Sequence, residues 1–268
     1  MKKNIKAVLL ILIILALSFL FYKNWIIKKL QPPILVIEKF NNFNSFETKV
    51  LNPVDDYVKF DVKYPYFLNA DKDFNLSIEN LIKSKIEDHK KASMEYWQAR
   101  FDTQTKGENI PKVPSDEDKM NFFSDFTVVQ SNSVYISFIL KYGGFSGGAH
   151  GYEDIISFNY DVINKKNIEL KDLFSSNPQY LNVLSTKSRE YLKEQFATVS
   201  EEDKKNSSPD ALKEYVDNMV SMINSGTEPK EENFNTFTFT EDKIKIYFAQ
   251  YQVGPYVIGS PEVEISRQ

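Results

Sequence analysis

Apolar and polar residues alternate along this chain with two different periods, and each switch between them marks a new element. Val58, Phe60, Val62 and Tyr64 alternate with Lys59, Asp61 and Lys63, the period of a half-buried strand, which stops at Pro65. Leu76, Ile78, Leu81, Ile82, Ile86, His89, Met94, Trp97 and Phe101 then recur at helical spacing, predicting an amphipathic helix from Asn75 to about Asp102, capped by Asp73 or Asn75. His89, between Asp88 and Lys90, reads as a partly exposed helix residue. Thr103 to Lys119 is polar, contains Pro111 and Pro114, and reads as a mobile surface loop. Strand-like runs follow at Phe122–Gln130, Ser133–Tyr142 and Asp154–Asp161.

Beyond an Asn- and Lys-rich turn, Tyr180, Leu181, Leu184, Ser188, Tyr191, Leu192 and Phe196 form the buried stripe of a second helix. Ser200–Ser208 is a polar break, and Pro209 with Asp210 opens a third helix that turns Leu212, Val216, Met219 and Ile223 inward. Phe234–Thr240 and Lys243–Gln252 alternate on either side of Glu241-Asp242 as a hairpin, and Val263 and Ile265 close a last extended piece. This order predicts an α+β fold, a mostly antiparallel sheet packed by helices.

One N-terminal transmembrane helix is expected before it. Ala7 to Phe21 is apolar apart from Ser18, and continuing through Trp25, Ile26 and Ile27 lets it cross a hydrocarbon core of ~30 Å if Lys23 snorkels. The chain therefore divides into a tail (1–6), an anchor (7–27), a tether leading into a first edge strand (28–53), and α+β units over 54–161 and 162–268. The alternative is a signal peptide cut after Ala16-Leu17-Ser18, giving a secreted protein. Phe19-Leu20-Phe21 continue the apolar run past that point and favour the anchor.

Charge narrows the partners. The first 29 residues hold six lysines and no acid, so the rest carries 27 basic against 37 acidic residues, a formal −10. Such a surface repels nucleic acid and favours cationic partners. There is no cysteine, which excludes disulfides and a lipoprotein attachment.

Five of the nine glycines fall between Lys141 and Tyr152, in a connection between two strands. Glycine suits positive φ or close approach of another group, and five exceed what a simple hairpin turn needs. The run Gly147-Gly148-Ala149-His150-Gly151, the Asn159-Tyr160-Asp161 strand, Leu170-Lys171-Asp172-Leu173-Phe174 and Phe248–Tyr256 resemble the paired extracytoplasmic domains shared by the peptidoglycan deacetylase PdaC and the lysozyme-binding anti-sigma factor RsiV. The resemblance covers roughly residues 50 to 265. It implies a PdaC-like first unit, an RsiV-like second unit, and an extracytoplasmic placement that the evenly flanked anchor does not itself indicate. Six residues precede the apolar run and the chain closes soon after its last strand, so neither a sigma-binding segment nor a deacetylase catalytic domain is expected to carry over.

Catalytic chemistry is sparse. Ser146, His150, Glu153 and Asp154 superficially supply a nucleophile, a base and acids, but no nucleophile elbow surrounds Ser146. The two histidines, His89 and His150, match no metal-binding spacing. No catalytic residue, metal or cofactor is assigned. The expected function is a membrane-anchored cell-envelope binding module that recognises a lysozyme-like protein or peptidoglycan. Its candidate contact residues are Gly147, Gly148, His150, Tyr152, Tyr251 and Tyr256. The alternatives are a peptidoglycan-modifying hydrolase or deacetylase accessory, with His150 beside Glu153 or Asp154, and a structural envelope component.

Overall fold

A computed structural model describes residues 45–104, 108–174 and 177–267. The expected anchor and most of the tether lie outside these. Among the described residues no helix is long and apolar enough to cross a membrane.

The fold is α+β. Strands β1 (Phe46–Val50), β2 (Val58–Phe67), β3 (Met120–Ser131), β4 (Tyr135–Phe145), β5 (Tyr152–Asp161) and β6 (Lys166–Asn167) form one sheet in sequence order. It is mixed: β2 and β3 run parallel, because the 31-residue helix α1 (Lys72–Asp102) crosses over between them, and the other neighbours are antiparallel. A second, antiparallel sheet holds β7 (Phe237–Phe239), β8 (Lys243–Tyr247) and β9 (Glu262–Ser266). Helices α2 (Leu170–Leu173), α3 (Tyr180–Phe196), α4 (Glu201–Asn206) and α5 (Pro209–Gly226) lie between the sheets in sequence.

Asp71 caps α1 by accepting from the Phe74 amide at 2.9 Å, in place of the expected Asp73 or Asn75. Asn75 is instead buried and fastens the helix to β2, accepting from the Phe67 amide at 2.8 Å and donating to its carbonyl at 2.9 Å. Three more expectations change. Ser200–Ser208 contains the short helix α4, because Ser200 and Asp203 form a capping box. Tyr191 is exposed, outside the buried stripe of α3. Ile110 and Pro111, in the expected mobile loop after α1, are held in place, with Trp97 Nε1 donating to the Pro111 carbonyl at 3.0 Å and the Ile110 amide donating to Gln104 Oε1 at 3.1 Å.

The large sheet serves two cores. Successive strand residues point to opposite faces, so Ile136, Phe138, Leu140 and Tyr142 of β4 pack toward α1. Tyr135 of the same strand belongs to the other core, with Leu184, Ile223, Phe239 and Val263. Rings lock the α1 side: Phe138 stacks on Phe158 at 4.7 Å and Phe74 on Tyr160 at 4.1 Å.

Side chains of the large sheet also satisfy the outer edge of β7. Ser157 Oγ accepts from the Phe237 amide at 3.0 Å and Ser137 Oγ from the Phe239 amide at 3.0 Å. Asn159 Nδ2 donates to the Phe237 carbonyl at 2.8 Å, while its Oδ1 accepts from Ser137 Oγ at 2.7 Å. Three polar side chains thus take the place of a neighbouring strand, and the small sheet is bonded edge-on to the face of the large one.

Candidate functional site

The β4–β5 connection is shorter than the glycine run suggests. Gly143 and Gly144 belong to β4, and the loop itself spans 146–151. A Cβ on Gly144 would lie 1.9 Å from the Asn121 carbonyl oxygen, so this glycine serves the close approach of β3 rather than a turn. Gly147, with φ of 108°, does shape the loop, and the ring of Tyr96 on α1 fills the space where its side chain would be.

A second loop, Ala249–Gly259, meets this hairpin. Gln252 fastens it: Nε2 donates to the carbonyls of Gly226 at 3.0 Å and Asn233 at 3.1 Å, and Oε1 accepts from the Ala249 amide at 3.0 Å. Tyr251 adopts φ of 65°, a backbone conformation that costs about 1–3 kcal/mol in a non-glycine residue and is found most often where function or tight packing demands it.

The loops bring together residues more than a hundred positions apart. Tyr251 Oη lies 3.5 Å from His150 Nε2, and Tyr256 Oη donates to the Gly151 carbonyl at 3.4 Å. The ring centroids of His150 and Tyr256 are 4.5 Å apart, and those of Tyr251 and Tyr256 5.8 Å. His150 Nδ1 donates to the Gly151 carbonyl at 2.8 Å, which leaves Nε2 as the acceptor facing Tyr251. All three rings are exposed, Tyr251 at 52% and Tyr256 at 39%. Beside them opens a cleft of about 380 Å³, lined by Asn121, Phe123, Gly144, Gln250 and Ser260 among others. Exposed aromatic faces beside a shallow cleft suit sugar rings or a protein surface.

Of the six candidate residues, His150, Tyr251 and Tyr256 converge, and Gly147 and Gly148 lie on the hairpin that carries them. Tyr152 borders the cleft, but its hydroxyl turns inward and shares a hydrogen bond with His89 Nδ1 at 2.9 Å. Burial, helped by the charges of Asp154 and Asp88, pushes the Tyr152 phenol up to about 12. His89 is therefore no partly exposed helix residue: it is 2% exposed. Burial lowers its pKa, outweighing the Phe145 and Asn121 carbonyls, with which Nε2 makes no well-formed hydrogen bond. Asp88 and Lys90 flank it in sequence, but its place in the helical stripe with Ile82 and Ile86 was the sign of burial that the sequence did offer. Tyr96 and Gln252 were also missed, since each acts by supporting a loop distant in sequence.

The acid–base arrangement does not assemble around His150. Glu153 and Asp154 are consecutive on β5 and point to opposite faces: Glu153 lies 4.0 Å from Lys141 while Asp154 lies beside Tyr142. Among the described residues no group of three or more His, Cys, Asp or Glu side chains is placed to hold a metal ion.

A second cleft, of about 440 Å³, opens at the far end of β5 between Phe158, Asn159, Leu170, Tyr180, Glu231 and Phe237. Tyr180 Oη donates to Glu231 there at 2.9 Å, and its pKa is pushed up to about 12 by burial and then by that carboxylate.

Comparison with known proteins is informative. The chain is 25% identical over 231 residues to the peptidoglycan-N-acetylmuramic acid deacetylase PdaC of Bacillus subtilis (strain 168), covering 85% of this chain and 45% of the deacetylase, so it spans about half the length of that relative. Its fold resembles the crystal structure of a DUF3298 family member from Bacteroides fragilis, with a TM-score of 0.53 at 18% identity over 84% of this chain and 92% of the other. Residues 52–153 match the family model described as deacetylase PdaC, and residues 171–268 match that of a protein of unknown function, DUF3298. A match to the PdaC model is thus followed by a match to the DUF3298 model, in keeping with the paired domains that the sequence resembles.

Proposed function

We propose that this protein is a membrane-anchored cell-envelope binding module, with its described domains outside the membrane, that recognises peptidoglycan or a lysozyme-like protein. The observation that carries the reading is the exposed platform of His150, Tyr251 and Tyr256, assembled from two loops and bordered by a cleft. Peptidoglycan is favoured as ligand by the substrate named for the B. subtilis relative. The net −10 of residues 30–268 supports a cationic protein instead.

Calorimetric titration of the full chain in detergent, against soluble muropeptides and against lysozyme, tests this. Binding to at least one is expected. Replacing Tyr256 by Ala should weaken it at least tenfold and leave the melting temperature nearly unchanged, since the ring is exposed. Absence of binding to both at millimolar concentration would falsify the reading.

The second reading is an accessory part in peptidoglycan deacetylation, supported by the match to PdaC. Turnover of a glycan substrate by the purified chain, lost in His150→Ala with the fold intact, would favour it over pure binding.

A further inference from the structure

Phe145 and Tyr152 are the two feet of the hairpin that carries His150. Both pack against the α1 core, whereas none of residues 146–151 is buried. His89 lies beneath both feet. Its Nδ1 is hydrogen-bonded to the Tyr152 hydroxyl at 2.9 Å, and the carbonyls of Phe145 and Asn121 lie within reach of its ring. Asn121 in turn fastens Phe145, accepting from its amide at 3.1 Å. The rings of Phe122 and Tyr152 enclose the imidazole, with centroids at 5.0 Å and 5.9 Å. Tyr152 adjoins Gly151, whose carbonyl accepts from both Tyr256 and His150, so the same contact sets the point where the hairpin meets the second loop.

This setting suits a neutral ring and not a charged one. His89 is 2% exposed, and its Nε2 has no well-formed partner. Among the described residues no carboxylate pairs with it. On α1, Lys90 is paired with Asp55 and Glu87, and Asp88 acts together with Asp154 of β5 on the phenol of Tyr152. Tyr142 of β4 lies beneath Lys85 and beside Asp154. From β3 the ring meets Asn121 and Phe122, neither of which titrates. Burial at His89 is therefore opposed by two carbonyls alone. A buried cation without a counter-charge is costly, and the cost is relieved when the site opens to water. Histidine is the side chain that gains its charge just below neutral pH.

We propose that His89 is a pH-responsive clamp on the platform: neutral, it holds both feet of the His150 hairpin, and on gaining a proton it lets them go. The consequence for ligand binding rests on the platform reading above, but the motion does not. The clamped state resists the proton, whereas a released, hydrated His89 takes it up at about pH 6.5. The released fraction therefore rises as pH falls through 6.5, and at pH 5.5 the ratio of released to clamped hairpin grows by up to about tenfold.

Hydrogen exchange of the full chain in detergent, without ligand, tests this at pH 7.5 and pH 5.5, with the intrinsic pH dependence of exchange divided out. Protection of residues 142–154 should fall by about threefold to tenfold in acid, while that of β7 and β8 changes by less than about twofold. His150→Gln should keep the drop, because that ring is exposed, and His89→Phe should abolish it. His150→Gln also leaves His89 as the one imidazole of the chain, so carbon-13 resonances of labelled histidine report its titration directly. Its midpoint should lie below pH 6.5, a result that does not depend on the folding of His89→Phe. The proposal is overturned if protection of 142–154 is equal at the two pH values, or if β7 and β8 lose as much. It is equally overturned if the drop survives in His89→Phe, vanishes in His150→Gln, or if the remaining ring titrates at or above pH 6.5. Since no ligand is present, the outcome is decided whatever the platform binds.

Discussion

Asn159→Ala tests whether the two sheets form one cooperative unit. The side chain is 6% exposed and holds two buried groups: it donates to the Phe237 carbonyl and accepts from Ser137 Oγ. Alanine leaves both unmatched. A buried polar group without its partner costs about 1–3 kcal/mol, so the pair is worth about 2–6 kcal/mol, a large part of the 5–15 kcal/mol typical of a whole domain. Ser157→Ala, at a half-buried position where water can replace the hydroxyl, should cost only about 1 kcal/mol. Urea denaturation of the Trp25→Phe chain reads the α1 core through Trp97, which is 4% exposed, while tyrosine near-ultraviolet circular dichroism reads both cores. The two probes should give coincident transitions that shift together in Asn159→Ala. Separate transitions in the parent, or a loss below about 1 kcal/mol in the variant, would refute the bonding of the sheets into one unit.

Gly144→Ala would set a Cβ 1.9 Å from the Asn121 carbonyl and should lower stability by about 1–3 kcal/mol or more, measured by the same denaturation. Stability should also fall on acidification below about pH 6.5. The buried His89 has a lowered pKa, so the unfolded chain takes up its proton first, and the contribution present at neutral pH is lost as pH falls toward the folded pKa. Denaturation midpoints compared at pH 7.5 and pH 5.5 should show a smaller drop in His89→Phe than in the parent.

Much of this protein is legible in its one-dimensional pattern. Alternation in Val58–Tyr64 and the helical stripe through Ile78, Ile82 and Ile86 each report one face buried against a neighbour, and that is a local property of the sequence. The two glycine-bearing loops were likewise visible, because glycine and proline mark places where ordinary backbone will not do. What the pattern leaves open is which distant groups meet. A buried strand such as β4 is apolar on both faces, so nothing in its sequence says that Phe138 serves one core and Tyr135 another. Asn75 looks like an ordinary polar helix residue and His89 falls on the apolar stripe of α1, but only the packing of that helix on the sheet supplies Phe67 and Tyr152 as their partners. The convergence of His150 with Tyr251 and Tyr256 is a consequence of strand order. Strand order is decided by pairing between segments far apart in the chain, where the energy of contact depends on a partner that local sequence does not contain.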